Sequence, residues 1–414
     1  MIYSIYVYTP RGGVNKDTGQ EHDMTHKEKR IARRYDTPGR CAEFTDLVYV
    51  KGDATHGELA AAERKFDPPA PVYKPFIGDL HGHTNLSDGS ADIDTFFRNI
   101  KSRGLDFAAI SDHDHGGVGR PPLWEGSPSK WDLIREKVKE YDEPGKFTAI
   151  LAYERDSYPW YNNLVVYYGS RDGEMIRGVR DGEFTYDELR QALSRDDVIL
   201  IPHDTYMFSA GADLSHIPAE LFTPLIELYS CADAAEYMGN PAFDSNSACD
   251  GGFWRNALRR GARMGCIGGS DNHSGTGGTV LDRPYPHCFQ GLTGVWAEDN
   301  SLPSLFSALK ARRCYAFMGG RMAIDFRVNG HYMGEEFRAG EDEDLAIWFK
   351  VDADAKVKKV TLVKNQRDYI MLKGKSSQLI FDYYRESAAD CYYLRVELED
   401  GRFGWSSPIW VGRG

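Results

Sequence analysis

The chain has 414 residues, 41% of them hydrophobic and 13% aromatic, enough to bury a large core and too many for a disordered chain. With 50 basic and 62 acidic side chains it carries a net charge of −12, which argues against nucleic acid as the main partner, because phosphate backbones need a basic footprint. Its seven cysteines are odd in number and form no CxxC, so a disulfide framework and a thiolate zinc site are both disfavoured and a reduced, cytoplasmic setting is expected.

Met1–Pro10 alternates apolar and polar residues without a basic n-region, which reads as a strand and not as a signal peptide. Residues 11–70 are polar and charge-rich and end in Asp67-Pro68-Pro69-Ala70-Pro71, so residues 1–72 are expected to form a strand and an extended arm. From Phe76 onward short apolar runs alternate with amphipathic stretches. The runs are Phe76–Leu80, Phe107–Ile110, Phe147–Ala152, Leu164–Tyr168, Val198–Ile201, Leu225–Tyr229 and Cys266–Gly269, with Val295–Ala297 as an eighth. Helical patterns lie between them at Ile93–Arg103, Trp131–Tyr141 and Tyr186–Ser194. This alternation predicts an α/β unit over 73–318 built from βα repeats. Near residue 320 the pattern becomes strand after strand, with turns at Asn329-Gly330 and Asp400-Gly401, which predicts a smaller β-sandwich over 319–414. No run of about 18 apolar residues exists, so no membrane span is expected.

The chemistry-bearing residues cluster at strand ends. Asp79-Leu80-His81-Gly82-His83 puts Asp79, His81 and His83 on one strand face, where two imidazoles can share a cation and Asp79 can orient a ring as an acceptor. The next runs end in Ser111-Asp112-His113-Asp114-His115, Tyr153-Glu154-Arg155-Asp156, Pro202-His203-Asp204 and Ser270-Asp271-Asn272-His273. Carboxylates and imidazoles at the C-terminal ends of strands are where α/β enzymes build active sites. An N/O donor set without cysteine suits zinc, manganese or iron. Glu227, a charge inside the apolar run Ile226–Tyr229, requires a buried partner. Arg155 and His115 adjoin candidate ligands, and with Glu227 they are the expected substrate-side residues.

The run DLHGHTNLSDG, followed in order by ISDHD, a strand-end Glu, IPHD and GSDNH, resembles the PHP (polymerase and histidinol phosphatase) superfamily of metallohydrolases. Gly291–Ala297, Ala308–Ala316 and Trp405–Val411 resemble a branch with a C-terminal β-domain that includes carbamate and aryl-ester hydrolases. The resemblance implies a distorted, TIM-like (β/α)7 barrel of seven parallel strands holding two or three divalent cations. His81, His83, Glu154 and Asp271 would take the first; Glu154 would bridge to a second with His203; Asp88, His113 and His273 would take a third. His203, Asp271, His273 and Glu154 would then serve catalysis. The family's further histidine before the next strand is absent, since Tyr161-Asn162-Asn163-Leu164 stands there, so Asn162 or Asn163 would either ligate weakly through an amide oxygen or face away, and the second cation would be weak, water-rich or absent. The implied activity is hydrolysis of a small-molecule ester, phosphoesters first and carbamates or carboxylic esters second. A non-catalytic metal-binding domain is the alternative outside enzymology, and a homo-oligomer is compatible with the sequence.

Overall fold

The computed structural model describes residues 5–8, 42–44, 71–116, 119–156, 161, 163–176, 185–206, 213–230, 234–242, 250–278, 289–340, 343–382 and 386–414. The chain divides into two units: one spans 71–322 with 402–407, and the other contains 323–401 and 408–414.

In the first unit, strands Lys74–Asp79, Phe107–Ile110 and Thr148–Asp156 run parallel in that order. Their crossovers carry helices with well-defined starts. Ile93–Ser102 begins at Asp92, whose carboxylate accepts the Thr95 N–H, and it buries Ile93, Phe96, Phe97 and Ile100. Lys130–Tyr141 begins with a reciprocal Ser129/Asp132 capping box.

The resemblance implied a fully parallel set of strands, and the structure differs. Asn163–Tyr168 is antiparallel to both Thr148–Asp156 and Val198–His203, and Gly291–Ala297 is antiparallel to Lys74–Asp79 and Cys314–Met318. Residues 157–162 are too few for a crossover, which takes about a dozen residues, so the chain must return as a neighbouring antiparallel strand. Leu225–Tyr229 and Gly265–Gly268 form a separate parallel pair.

Strand parity links this core to the site. Ile150, Ala152 and Glu154 share one face of their strand, as do Ile199, Ile201 and His203 of another. The apolar members of both sets belong to one buried cluster, which also holds Leu80, Phe107, Ala109, Val165, Tyr167 and Ile267. The face that fills the core therefore ends in a polar donor.

The second unit contains no helix among its described residues. Ser377–Asp382, Leu345–Ala353, Met322–Val328 and His331–Tyr332 form one sheet, with Ile5–Tyr8 parallel to its Ser377–Asp382 edge. Arg367–Lys373, Val357–Lys364 and Ala389–Leu398 are successive strands of another. The Asn329-Gly330 turn has φ of 51° and 87°, a left-handed pair that suits a tight hairpin. The two sheets meet at Asp382, which accepts from Lys364 (2.8 Å), Tyr392 (2.8 Å) and Tyr369 (3.2 Å). Lys364 and Asp382 are fully buried, and without Asp382 the lysine would keep only the more distant Asp390 carboxylate at 3.8 Å. Asp382→Ala is expected to destabilise this unit by about 3–5 kcal/mol in urea unfolding, with unchanged metal content. No described helix is long and apolar enough to cross a membrane.

Candidate metal centre

Two loops at strand ends are stitched together by their backbones. The Asp271 N–H donates to the His81 carbonyl at 3.0 Å, and the His83 N–H donates to the Asn272 carbonyl at 2.9 Å. This brings residues far apart in sequence onto one centre. His83 Nε2 lies 3.1 Å from Asp271 Oδ1 and 3.2 Å from Glu154 Oε2. His81 Nε2 lies 3.2 Å from Glu154 Oε2 and 3.6 Å from Asp271 Oδ1. One ligand atom from each of these four residues can meet at a single cation.

Glu227 organises the histidines from behind. Its Oε2 sits 2.9 Å from His81 Nδ1, and its Oε1 sits 2.7 Å from His203 Nδ1. An ionised carboxylate only accepts, so the His81 ring presents Nδ1–H and keeps Nε2 as the donor atom, while His203 Nδ1 lies close to Oε1 without the alignment of a hydrogen bond. The attraction of His81 and His203 holds the Glu227 carboxyl below its ordinary value, against the opposing effect of burial. A Cβ on Gly269 would stand 2.5 Å from Glu227 Oε2 and from His81 Cβ, so only glycine admits this approach.

A second group opens toward solvent. Asp88 Oδ2 lies 3.3 Å from His273 Nε2 and 3.7 Å from His113 Nε2, and Asp88 Oδ1 lies 3.7 Å from His83 Nδ1. The His83 ring stacks on His273 at 4.1 Å and lies 4.6 Å from His113. Asp112 holds the loop that delivers Asp88, accepting from Thr84 N–H (2.7 Å), Thr84 Oγ1 (2.6 Å) and Ser87 Oγ (2.5 Å). A third group joins His203 Nε2 to Asp204 Oδ2 at 3.0 Å and to Asp271 Oδ2 at 3.5 Å.

These residues fit divalent cations. The donors are imidazole nitrogens and carboxylate oxygens, and His83 Nδ1 is buried without a hydrogen-bond partner. Burial alone would lower the His83 pKa, but hydrogen bonds to Asp271 and Glu154 outweigh it and raise it to about 9. Glu154 and Asp271 are held well below the usual carboxylate range against burial, chiefly by His113 and His81 for Glu154 and by His81 and His203 for Asp271.

The pH dependence follows in sign. Folding raises the His83 pKa from 6.5, so its contribution to stability is whole below 6.5 and is lost as pH rises through about 9. Folding lowers the two carboxylates, so theirs is present above their ordinary values of 4.5 and 3.8 and is lost on acidification. Metal-stripped protein is therefore expected to be most stable between about pH 4.5 and 6.5 and to lose thermal stability from pH 6.5 to 9. Metal-loaded protein should show a flatter profile over that upper range.

Several placements correct the sequence reading. Asp79 orients no imidazole: its Oδ1 accepts the Ser270 N–H at 3.0 Å and the His81 N–H at 3.2 Å, and burial pushes its pKa up to about 6. Glu227 takes that orienting role and is not substrate-side, because it is buried behind the rings it holds. Arg155 also faces inward. It is 2% exposed, donates to the Ile176 carbonyl at 2.9 Å and lies 3.4 Å from Asp114 Oδ2, because strand alternation turns it away from Glu154. His115 is exposed and stacks on His113 at 5.1 Å, on the open side.

Asn162 lies outside the described residues. Asn163 Nδ2 donates to Glu154 Oε1 at 2.8 Å, a contact that sequence reasoning missed. Its signal was the missing histidine itself, since an amide beside a carboxylate can donate where an imidazole would ligate. The Asp112 anchor was also missed, although its place between a strand and His113 marked it.

Comparisons with known proteins add the following. Residues 282–347 match a family of unknown function, DUF3604, a segment that contains none of the donors above. An uncharacterized protein of Chlamydia pneumoniae is 25% identical over 359 residues, and one of Chlamydia muridarum is 25% identical over 374 residues. Each alignment covers 81% of this chain and 57% of the relative, so the chain spans little more than half the length of those proteins. Among solved structures, a two-domain protein from Bacteroides vulgatus containing a predicted PHP-like metal-dependent phosphoesterase is 16% identical, with a TM-score of 0.42. That match covers 82% of this chain and 96% of that one.

Proposed function

We propose that the protein is a metal-dependent hydrolase of ester bonds, with phosphoesters as the leading substrate class. The observation that carries this reading is the convergence of His81, His83, Glu154 and Asp271 on one point, with Glu227 holding the far nitrogen of His81. When bound, divalent cations supply Lewis acidity toward an ester oxygen and lower the pKa of a water to about 7. His81, His83, Glu154 and Asp271 would hold one cation, and Asp88, His113 and His273 another on the open side. Asp112 keeps the Asp88 loop in place through Thr84 and Ser87. His115, exposed beside His113, would face the substrate on the open side.

One observation favours a second reading, hydrolysis of carbamates or carboxylic aryl esters. A phosphomonoester calls for guanidinium groups at the mouth. Arg120 donates to the Asn85 and Ser87 carbonyls, Arg155 is bound by Ile176 and Asp114, and Arg255 pairs with Glu236 at 2.8 Å over the Tyr237 ring. Each of these three arginines is already engaged by the protein.

The test is metal analysis of purified protein followed by rates on aryl phosphates, aryl phosphodiesters, aryl esters and aryl carbamates with manganese or zinc. At least one tightly bound transition metal per chain and metal-stimulated hydrolysis of one class are expected. Less than one bound metal with no stimulated activity would overturn the reading, and the class hydrolysed fastest decides between the two chemistries.

A further inference from the structure

We infer that a cation next to the first is held by His203, Asp204 and Asp271, so that Asp271 and not Glu154 is the bridging carboxylate. This rests on the metallohydrolase reading and departs from the ligand pattern that the family resemblance implies. Three observations carry it.

His203 is the anchor. The ring is buried, with Nδ1 2.7 Å from Glu227 Oε1 and Nε2 turned to the two aspartates. That atom faces Asp204 Oδ2 at 3.0 Å and Asp271 Oδ2 at 3.5 Å, and a ligand atom from each of the three residues can meet at one ion. Asp271 divides its two oxygens between the groups. Oδ1 lies 3.1 Å from His83 Nε2 and 3.6 Å from His81 Nε2, while Oδ2 faces His203. A carboxylate placed this way can bind one cation through each oxygen.

Glu154 is committed elsewhere. Its Oε2 serves His81, His83 and His113, and its Oε1 accepts the Asn163 amide at 2.8 Å. Asn163 is the register partner of His203 on the adjacent strand, beside the spot where the family's missing histidine would act. With a donor N–H at that position, the third protein ligand has to come from another direction, and Asp204 supplies it.

The resulting set, one nitrogen and two carboxylates, is harder than the two-imidazole, two-carboxylate set of the first site. It suits manganese better than zinc, whereas the first site accommodates either.

The test titrates metal-free full-length protein with Mn(II) alone by calorimetry, with bound metal counted by elemental analysis, in wild type, Asp204→Ala and Asp204→Asn. Removing Asp204 is expected to delete one Mn(II) equivalent or weaken it at least tenfold, with the tightest equivalent preserved. Asp204→Asn should fall between the two, because an amide oxygen can ligate weakly. Thermal unfolding of the metal-free variants checks that they remain folded. A folded Asp204→Ala with the wild-type number of equivalents and affinities within threefold overturns the inference and leaves the hydrolase reading standing. Wild-type protein that binds less than one equivalent of Mn(II) or Zn(II) overturns that reading itself.

Discussion

Glu227→Gln is expected to weaken metal binding at two places at once. Replacing an outer carboxylate that orients a metal-binding histidine typically costs about 10–100-fold in affinity or activity. Here a single carboxylate meets His81 Nδ1 at 2.9 Å and His203 Nδ1 at 2.7 Å. A glutamine is neutral, so His203 loses the negative charge beside its ring, and His81 loses its acceptor wherever the amide nitrogen turns toward it. Titration with Mn(II) should show two weakened equivalents, and the variant should remain folded because the amide has nearly the shape of the acid. Gly269→Ala should act in the same direction, since the added methyl would stand 2.5 Å from Glu227 Oε2. Loss at one equivalent only, with the other unchanged, would show that Glu227 serves a single histidine.

His83→Ala is expected to remove the tightest cation and the hydrolytic activity together. His83 Nε2 is within 3.2 Å of both Glu154 and Asp271, and its Nδ1 faces Asp88 at 3.7 Å. Its loss therefore removes a direct donor from one group and a stacked ring from the next. The fall in rate should exceed the roughly 100-fold upper end of an outer-position change. The second unit should keep its unfolding transition. Full activity with normal metal content would refute the assignment of the centre.

Much of this arrangement was legible in particular residues. The period of two along Ile150-Leu151-Ala152-Tyr153-Glu154 places the glutamate on the core-filling face, and the same count turns Arg155 away from it. Only a twisted strand end would bring Arg155 to substrate, and the strand keeps its alternation, so the arginine pairs with Asp114 instead. Glu227 was visible as an anomaly, a carboxylate inside Leu225–Tyr229, but its partners are His81 and His203, and a contact of that sequence separation has no local signature. The antiparallel course of Asn163–Tyr168 could be argued from the short 157–162 connection, yet the family resemblance pulled the expectation toward an all-parallel set.

By itself, then, the amino-acid order determined which residues stand at strand ends and which side chains face the core, because strand alternation and helix capping act over a few residues. It also determined the chemistry of the donors, nitrogen and oxygen without sulfur. The tertiary structure alone decided which of those donors stand together. That grouping depends on which oxygen of Asp271 faces which ring, on Asn163 occupying Glu154 Oε1, and on one buried carboxylate lying between His81 and His203. These are relative orientations of strands distant in sequence, and only the packed core brings them into register.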